Sequence, residues 1–412
     1  MTKRLRGQPD ELAPAGTTPR LPDRRAFLML GASGLAALLA SCSNADTDAE
    51  RDTDEIEDAG ERVVVVGAGA AGMTAAHLLR QQGVDVVVLE AAPTHGGRIK
   101  HDLDFTDFPI SLGAEWVHVE ADILDEIVND ASVEVTTELV AYDPSDIGGY
   151  YEDGTLTLGR VGDIADLKFV NSSWLDFFNQ HIVPGIEDTI VFDTKISTID
   201  YSGDVIRLVD STGTIHQADK AIVTAPLKVL QRGDITFVPD LPDDRTEAID
   251  QANIWSGLKV FLEFSEGFYP TVLELPDSET ADGQRLYYDA AYGQDTTTHV
   301  LGLFAVGAQA ETYQALSDDD LLTRILAELD EIFDGAATRT YVRHLVQNWN
   351  EEPFARAAYL ADVASPSTST RLAGSVDGRL FFAGDSYTSF DDWGSVHSAT
   401  RSAAEAVENL LR

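Results

Sequence analysis

A strand–loop–helix–strand pattern between Arg62 and Glu90 constrains the fold more than any other feature of the sequence. Four consecutive valines after Arg62 are typical of a buried parallel strand. The loop that follows has the spacing Gly-x-Gly-x-x-Gly and carries Gly67, Gly69 and Gly72. With this spacing, the first glycine makes the tight turn, the second admits a pyrophosphate and the third lets helix and strand pack closely. The pattern predicts a doubly wound α/β domain that binds a dinucleotide.

The acid at the end of the second strand narrows the range of ligands. A carboxylate at Glu90 can accept hydrogen bonds from both ribose hydroxyls and would repel the 2′-phosphate of NADP. The N-terminus of the intervening helix offers free N–H groups and a partial positive charge to the phosphates. This pattern alone leaves FAD and NAD both open.

Two motifs that follow Glu90 favour FAD. The first is Gly96-Gly97-Arg98, and the second is Gly113-Ala114-Glu115-Trp116. With them the chain resembles the flavin-containing amine oxidases, the family of monoamine oxidases, polyamine oxidases and lysine-specific histone demethylases. The resemblance implies that Gly97 and Arg98 lie against the pyrophosphate and the flavin. It also implies that the second motif passes beside the isoalloxazine ring.

Further motifs similar to those of the same family occur in order up to the C-terminus. They are a strand at 195–199, an aromatic segment at 349–359, an apolar strand ending in a carboxylate at 379–385, and a turn at 394–399 that opens the last helix. The resemblance implies that these motifs contribute further FAD-binding residues, namely Ile196, Trp349, Tyr359, Gly384, Asp385, Ser395 and Val396. It covers roughly residues 62 to 412 and is less specific for the substrate than for FAD.

Lys259 is the candidate catalytic residue. It lies in the apolar strand 257–264, and a lysine there can simply point to solvent, since neighbouring side chains in a strand face opposite sides. The resemblance places it at the family's active-site lysine, which implies that it holds a water against flavin N5 and aids proton movement during reoxidation. The chain has only seven lysines against 22 arginines. A lysine in that role is expected to be partly desolvated, which lowers its pKa.

Two departures from the family pattern bear on the substrate. Amine oxidases usually place a tyrosine near position 395 as part of an aromatic cage, and this chain has Ser395, with Trp393 or Phe390 as the available substitutes. The stretch from His118 to about Val183 is much shorter than the family's helical insertion. A wider and wetter substrate site is therefore expected.

Cysteine content and charge exclude several kinds of site and partner. Cys42 is the only cysteine, so a cysteinyl-FAD bond and a cysteine-based metal cluster are excluded, and FAD is expected to be noncovalent. The formal net charge of −41 argues against nucleic acid as a partner. An acid excess with few lysines is typical of proteins that stay soluble in concentrated salt, so a halophilic, haloarchaeal source is expected. In molar salt the Debye length is about 3 Å, which screens long-range steering of cationic substrates.

The first 61 residues are expected to be a targeting segment that precedes the fold. Arg24-Arg25 followed by x-Phe-Leu resembles a twin-arginine export signal. The apolar run 26–40 is shorter than the roughly 20 residues that span a membrane, and it leads into Leu-Ala-Ser-Cys, which resembles a lipobox ending at Cys42. We expect a signal peptide at 1–41, an acidic flexible tether at 42–61 and a lipid anchor on Cys42 at the outer face of the cell membrane. The alternative is a chance apolar stretch.

The motifs also divide the chain and indicate a reaction. An FAD-binding domain is expected from 62–120, 185–240 and 375–412, and a mixed-sheet α+β substrate domain from 121–184 and 241–374. The expected reaction oxidises a primary or secondary amine, polyamines included, to an imine or aldehyde, with O2 reduced to H2O2. Two alternatives stay open: a desaturase-like or protoporphyrinogen-oxidase-like enzyme acting on an apolar substrate, and a surface flavoprotein without turnover. The sequence does not indicate an oligomeric state.

Overall fold

The computed structural model describes residues 61–142, 148–159, 166–362, 366–388 and 393–412. The expected signal peptide, the lipid anchor at Cys42 and nearly all of the tether lie outside these residues, so they stay predictions. Phe390 lies outside them as well. Among the residues that the structure does describe, no helix is long and apolar enough to cross a membrane.

A five-stranded parallel sheet carries the dinucleotide pattern. Numbered along the chain, its strands lie in the order β10 (Ile190–Val191), β2 (Asp85–Leu89), β1 (Arg62–Val66), β14 (Lys220–Val223) and β24 (Leu380–Phe382). Helix α1 (Ala70–Gln81) joins β1 to β2, which confirms the expected βαβ unit. The valines of β1 alternate between two buried clusters, one on each face of the sheet, as expected for a central parallel strand.

The last helix of the chain packs against the first. Helix α10 (Val396–Leu410) lies along α1, and their apolar faces share one buried cluster with β1. Ser395 caps α10 by accepting a hydrogen bond from the backbone N–H of Ser398, whose side chain reaches back to the N–H of Ser395. This capping box fixes where α10 begins, and therefore where its N-terminus points.

A four-stranded sheet lies next along the chain. Its order is β13 (Ile215–Ala218), β12 (Ile206–Asp210), β11 (Ile196–Asp200) and β15 (Thr236–Val238). The first three strands are antiparallel neighbours, joined by turns after Asp200 and after Asp210. Strand β11 begins at Ile196, so this sheet delivers that residue to the dinucleotide-binding side.

The largest sheet has eight strands. The order is β22 (Tyr341–Asn348), β17 (Gly257–Phe264), β21 (His299–Gly307), β20 (Gly283–Asp289), β18 (Val272–Glu274), β7 (Gly148–Glu152) and β8 (Thr155–Gly159), and β19 (Glu279–Thr280) pairs with β20. One face packs against α6 (Ala308–Gln314) and α7 (Asp318–Ile332), and Ser317 caps the start of α7. The opposite face looks into the cavity described below.

Short elements complete the described structure. Two strand pairs are β3 (His101–Asp102) with β4 (Ile110–Ser111) and β16 (Asn253–Ile254) with β23 (Leu360–Asp362), and a three-stranded sheet has the order β5 (Trp116–Val117), β9 (Asp166–Phe169) and β6 (Leu139–Tyr142). The remaining helices are α2 (Ile123–Val128), α3 (Trp174–His181), α4 (Leu227–Gln231), α5 (Asp243–Gln251), α8 (Ala336–Thr340) and α9 (Pro366–Ala373). The stretch from His118 to about Val183 therefore contains strands as well as helices among its described residues. The domain boundaries expected from the motifs stay predictions.

Candidate active site

A cavity of about 730 Å³ lies between the carboxyl ends of the parallel strands and the open face of the eight-stranded sheet. This volume falls within the range of small-molecule and cofactor sites, roughly 300–1,000 Å³. Every residue that the sequence assigns to the site lines this cavity, apart from Gly72 and the lipidation residue Cys42. The lining residues are Gly67, Gly69, Glu90, Gly97, Arg98, Gly113, Ala114, Glu115, Trp116, Ile196, Lys259, Trp349, Tyr359, Gly384, Asp385, Ser395 and Val396. Motifs from both ends of the chain thus meet at one place.

The three loop glycines have different surroundings. A Cβ on Gly72 would lie 1.9 Å from the carbonyl oxygen of Gly67, so this glycine is required for the contact between helix and loop. Gly67 itself has φ of +106°, which favours glycine. A Cβ on Gly69 would meet no protein atom within 4 Å. The space above Gly69 belongs to the cavity, as expected if a pyrophosphate is to approach the backbone there.

Alanine at Gly69 and alanine at Gly72 should therefore have different effects, the first on FAD binding and the second on stability. Gly69→Ala is expected to weaken FAD binding by about 10- to 100-fold, because the new methyl group occupies ligand space, and to leave the melting temperature of the apoprotein unchanged. Gly72→Ala is expected to lower that melting temperature, because its methyl group collides with backbone. Equilibrium titration of apoprotein with FAD and thermal unfolding measure the two effects. Wild-type FAD affinity in Gly69→Ala would contradict this placement of the pyrophosphate.

The carboxylate of Glu90 is positioned to accept hydrogen bonds from a ribose in the cavity. Its carboxylate accepts hydrogen bonds from the backbone N–H of Ala68 at 2.5 Å and of Ala92 at 2.8 Å. Burial raises its pKa, and these backbone donors act in the opposite direction. Glu90 also lines the cavity, so its carboxylate is accessible to a ligand there. The loop, the helix N-terminus and this carboxylate together fit the adenosine and pyrophosphate parts of FAD.

Arg98 and Asp385 connect two motifs that are distant in the sequence. Arg98 forms a two-point ion pair with Asp385 and donates to the carbonyl oxygen of Ala358 at 2.5 Å. Both charged groups line the cavity, so each would meet the cofactor with its charge already partly compensated. The N-terminus of α10 reaches the cavity lining at Ser395 and Val396, and the partial positive charge of a helix N-terminus favours negative charge there.

Three aromatic residues named in the sequence analysis also line the cavity. Trp349 is buried, and its indole N–H donates to the carbonyl oxygen of Leu112 at 3.0 Å. A Cβ on Gly113 would lie 2.8 Å from the Trp349 ring, so the tryptophan needs a glycine beside it. Tyr359 also lines the cavity, and burial raises its pKa. Trp393, one expected substitute for the missing cage tyrosine, lines the cavity too.

Lys259 is buried rather than pointed at solvent. Its side chain is about 4% exposed, and the ammonium lies 2.9 Å from a carboxylate oxygen of Glu115 and donates to the carbonyl oxygen of Ser111 at 3.2 Å. Burial lowers the pKa of Lys259, opposed by the negative charge of Glu115. The expected desolvation is present. The lysine also has a fixed carboxylate partner that the sequence does not indicate.

Glu115 is in turn shared by a second lysine. Lys168 lies 3.1 Å from its other oxygen, and the hydroxyl of Tyr288 donates to the first oxygen at 2.6 Å. Burial alone would raise the pKa of Glu115, but Lys259 and Lys168 hold it at about 2. The carboxylate is therefore ionised at neutral pH, and the group is a buried Lys–Glu–Lys cluster, Lys259–Glu115–Lys168.

One row of side chains crosses the cavity face of the large sheet. Lys259 on β17 pairs with Phe304 on β21, and Phe304 pairs with Leu286 on β20. The antiparallel register of β18 with β20 places Glu274 opposite Leu286. All four residues line the cavity. Three strand spacings separate the two charged residues, or roughly 14 Å between backbones.

Sequence reasoning missed Lys168, Tyr288 and Glu274. Lys168 lies between Leu167 and Phe169 in an apolar strand of a lysine-poor chain, which is a signal that a buried partner was required. Tyr288 and Glu274 carried no such signal, because their roles depend on pairing between strands that are distant in the sequence.

The fold and the cavity define an FAD-dependent oxidoreductase. A doubly wound domain, a phosphate-binding loop, a ribose-binding acid and a long cavity that reaches a buried lysine fit that cofactor from end to end. FAD would be held at its adenosine end by the loop and Glu90, and at its flavin end by the residues around Lys259.

The chain belongs to the family of flavin-containing amine oxidoreductases. The family model matches residues 184–411, and a model of the NAD(P)-binding Rossmann-like domain matches residues 65–130. The chain is similar to polyamine oxidase 5 of Oryza sativa subsp. japonica, with 24% identity over 85% of this chain and 87% of the relative. It is also similar to lysine-specific histone demethylase 1B of Mus musculus, with 24% identity over 78% of this chain and 50% of the relative.

Solved structures agree on the fold. A putrescine oxidase structure bound to putrescine superimposes with a TM-score of 0.71 and 15% identity, covering 85% of this chain and 99% of that chain. A triple mutant of putrescine oxidase, redesigned in its cofactor binding, gives a TM-score of 0.72 at 15% identity, again over 85% and 99% of the two chains.

Proposed function

We propose that this FAD-dependent amine oxidoreductase oxidises a primary or secondary amine that carries a second positive charge, such as a long diamine or polyamine, with O2 as electron acceptor. The observation that carries the proposal is the row from Lys259 to Glu274. It sets a carboxylate at one end of the cavity face and the catalytic candidate at the other. Apolar side chains, Leu286 and Phe304, lie between them.

Glu274 has the properties of a site for an ammonium group. It is half-buried, and within the described part of the chain it has no basic partner. Burial raises its pKa, and repulsion from Glu279 acts in the same direction. A bound cation would oppose this rise in the pKa by stabilising the ionised carboxylate. A substrate with an amine at the flavin end, a methylene chain across Leu286 and an ammonium at Glu274 matches this order of groups.

The reaction balances with these components. FAD, when bound, supplies the hydride acceptor. The amine gives up its α-hydrogen with two electrons, and water hydrolyses the resulting imine to an aldehyde and either ammonia or a shorter amine. O2 takes up the two electrons with two protons as H2O2. Lys259 would hold a water and move protons during the oxygen step, and Trp349 and Tyr359 would limit the position of the amine.

An anaerobic amine panel tests the proposal. The purified FAD-loaded protein, kept in molar salt, is mixed with octylamine, diaminobutane and diaminooctane, and loss of flavin absorbance is followed. The long diamine is expected to bleach the flavin at the lowest concentration. Failure of every amine to bleach a flavin that dithionite does bleach would sink the amine oxidase proposal, and would favour an apolar substrate or no turnover.

Glu274→Gln should separate diamines from monoamines. Because a hydrogen-bonded ion pair contributes about 1.5–3 kcal/mol, KM for diaminooctane is expected to rise by about 10- to 100-fold, with KM for octylamine unchanged. Glu266→Gln is the matched control, since Glu266 is exposed just after β17 and lies outside the cavity lining. An equal change in KM for both amines would remove Glu274 from substrate recognition.

A further inference from the structure

The cluster Lys259–Glu115–Lys168 contains two basic side chains and one acidic side chain. Glu115 is ionised at neutral pH, and its two oxygens lie 2.9 Å from Lys259 and 3.1 Å from Lys168. All three side chains are at most 9% exposed, so solvent screens them little. With both ammonium groups charged, the cluster has a net charge of +1.

The two lysines differ in what they face. Lys259 and Glu115 line the cavity, whereas Lys168 lies outside the lining and donates to the carbonyl oxygen of Ala290 at 3.2 Å. Without Lys168, the remaining pair of Lys259 and Glu115 would be neutral toward the cavity. With Lys168 present, the negative charge of Glu115 is compensated by a residue outside the cavity lining.

Tyr288 and Asp289 also lie beside the cluster. Tyr288 is neutral, and its hydroxyl donates a hydrogen bond to Glu115. Lys168 also donates to the backbone carbonyl oxygen of Asp289 at 3.5 Å; burial raises the pKa of the Asp289 carboxyl, and Lys168 acts against that rise. Lys168 forms an ion pair with Glu115, at 3.1 Å. Glu115 is therefore the acid that Lys168 compensates first.

We infer that Lys168 is a positioning residue that makes the cavity wall around Lys259 electropositive. This positive potential would stabilise the negative charge that FAD gains on reduction. Lys168 acts through Glu115: by compensating this carboxylate, it leaves the charge of Lys259 available to the cavity. A buried positive charge near a flavin raises the potential at which it accepts electrons. The inference rests on the proposed location of the flavin ring at Lys259, and it is independent of which amine is the substrate.

The test measures the flavin without any amine. Lys168→Met and Lys168→Gln both remove the charge, and the glutamine keeps a polar donor toward Ala290. In the FAD-loaded protein, each variant is expected to bind sulfite, a probe of electron-poor flavins, about tenfold more weakly. The midpoint potential should fall by about 30 mV, the two-electron equivalent of that factor. Lys228→Met removes one charge outside the cavity lining and should leave both quantities unchanged.

The outcomes are distinct. If Lys168→Gln binds FAD with a wild-type potential and wild-type sulfite affinity, Lys168 has only a structural role and the inference is wrong. A rise in potential would also overturn it. Lys168→Arg, which keeps the charge, is expected to recover most of the loss, and it reports on charge even if the methionine variant does not fold. Because sulfite and reducing dyes replace the substrate, failure of amine oxidation leaves this result interpretable.

Discussion

Replacing Lys259 with methionine is expected to slow the reaction of the reduced enzyme with O2 by about 10²- to 10³-fold, the usual scale for loss of a positioned proton-transfer group. The variant should fold, because Glu115 keeps Lys168 and Tyr288 as partners and the methionine fills the buried volume. FAD binding should persist, since the loop and Glu90 are far along the cavity from this residue. Stopped-flow mixing of dithionite-reduced protein with O2 measures the rate directly.

Lys100→Met is the matched control for that experiment. Lys100 also lines the cavity and contacts Trp349, with its ammonium 5.3 Å from the ring centroid, but it is about one-third exposed and pairs with Glu352. Its loss is expected to change the oxygen reaction several-fold at most. An unchanged rate in Lys259→Met would refute the proposed role of Lys259.

Glu115→Gln is expected to lower the free energy of unfolding by about 3–5 kcal/mol, because it leaves two buried ammonium groups without their counter-ion. The comparison is Asp85→Asn, which breaks a pair with Arg62 in which both side chains are about half exposed. That change should cost less than about 1 kcal/mol. Denaturant unfolding of both variants in the same salt measures the difference.

The stability gap between wild type and Glu115→Gln should depend on pH with a defined sign. The lysines hold the pKa of Glu115 at about 2, below its ordinary value of 4.5. The stabilisation is therefore fully present above pH 4.5 and is lost as the pH falls toward 2. A gap that stays constant across this window would show that the ion pairs contribute nothing to it.

The parts of the site that the sequence predicts are local. The loop from Gly67 to Gly72, the acid at Glu90 and the turn at 394–399 that opens the last helix each depend on residues close in sequence, so a short pattern is enough to identify them. The structure also brings distant motifs into one cavity because β1, β14 and β24 are neighbours in a parallel sheet. That adjacency follows from the doubly wound fold, which the βαβ pattern already indicates.

The partners of Lys259 could not be predicted in this way. Lys168 reaches Glu115 because β5 pairs with β9 in an antiparallel register that sets Trp116 opposite Lys168. No motif specifies that register, and nearly fifty residues separate the two strands. Likewise, Glu274 joins the row of Lys259 only through three strand pairings. Such residues become functional candidates once the sheet order is known.

The pairing of β24 with β14 and the docking of α10 on α1 have a consequence for the order of folding. The cavity is lined by Gly67, which follows the first strand, and by Asp385, which follows β24. The two residues are 318 positions apart in the sequence, so the cofactor pocket is incomplete until both segments have been synthesised and have docked. Retention of FAD is therefore expected to report that both segments are in place.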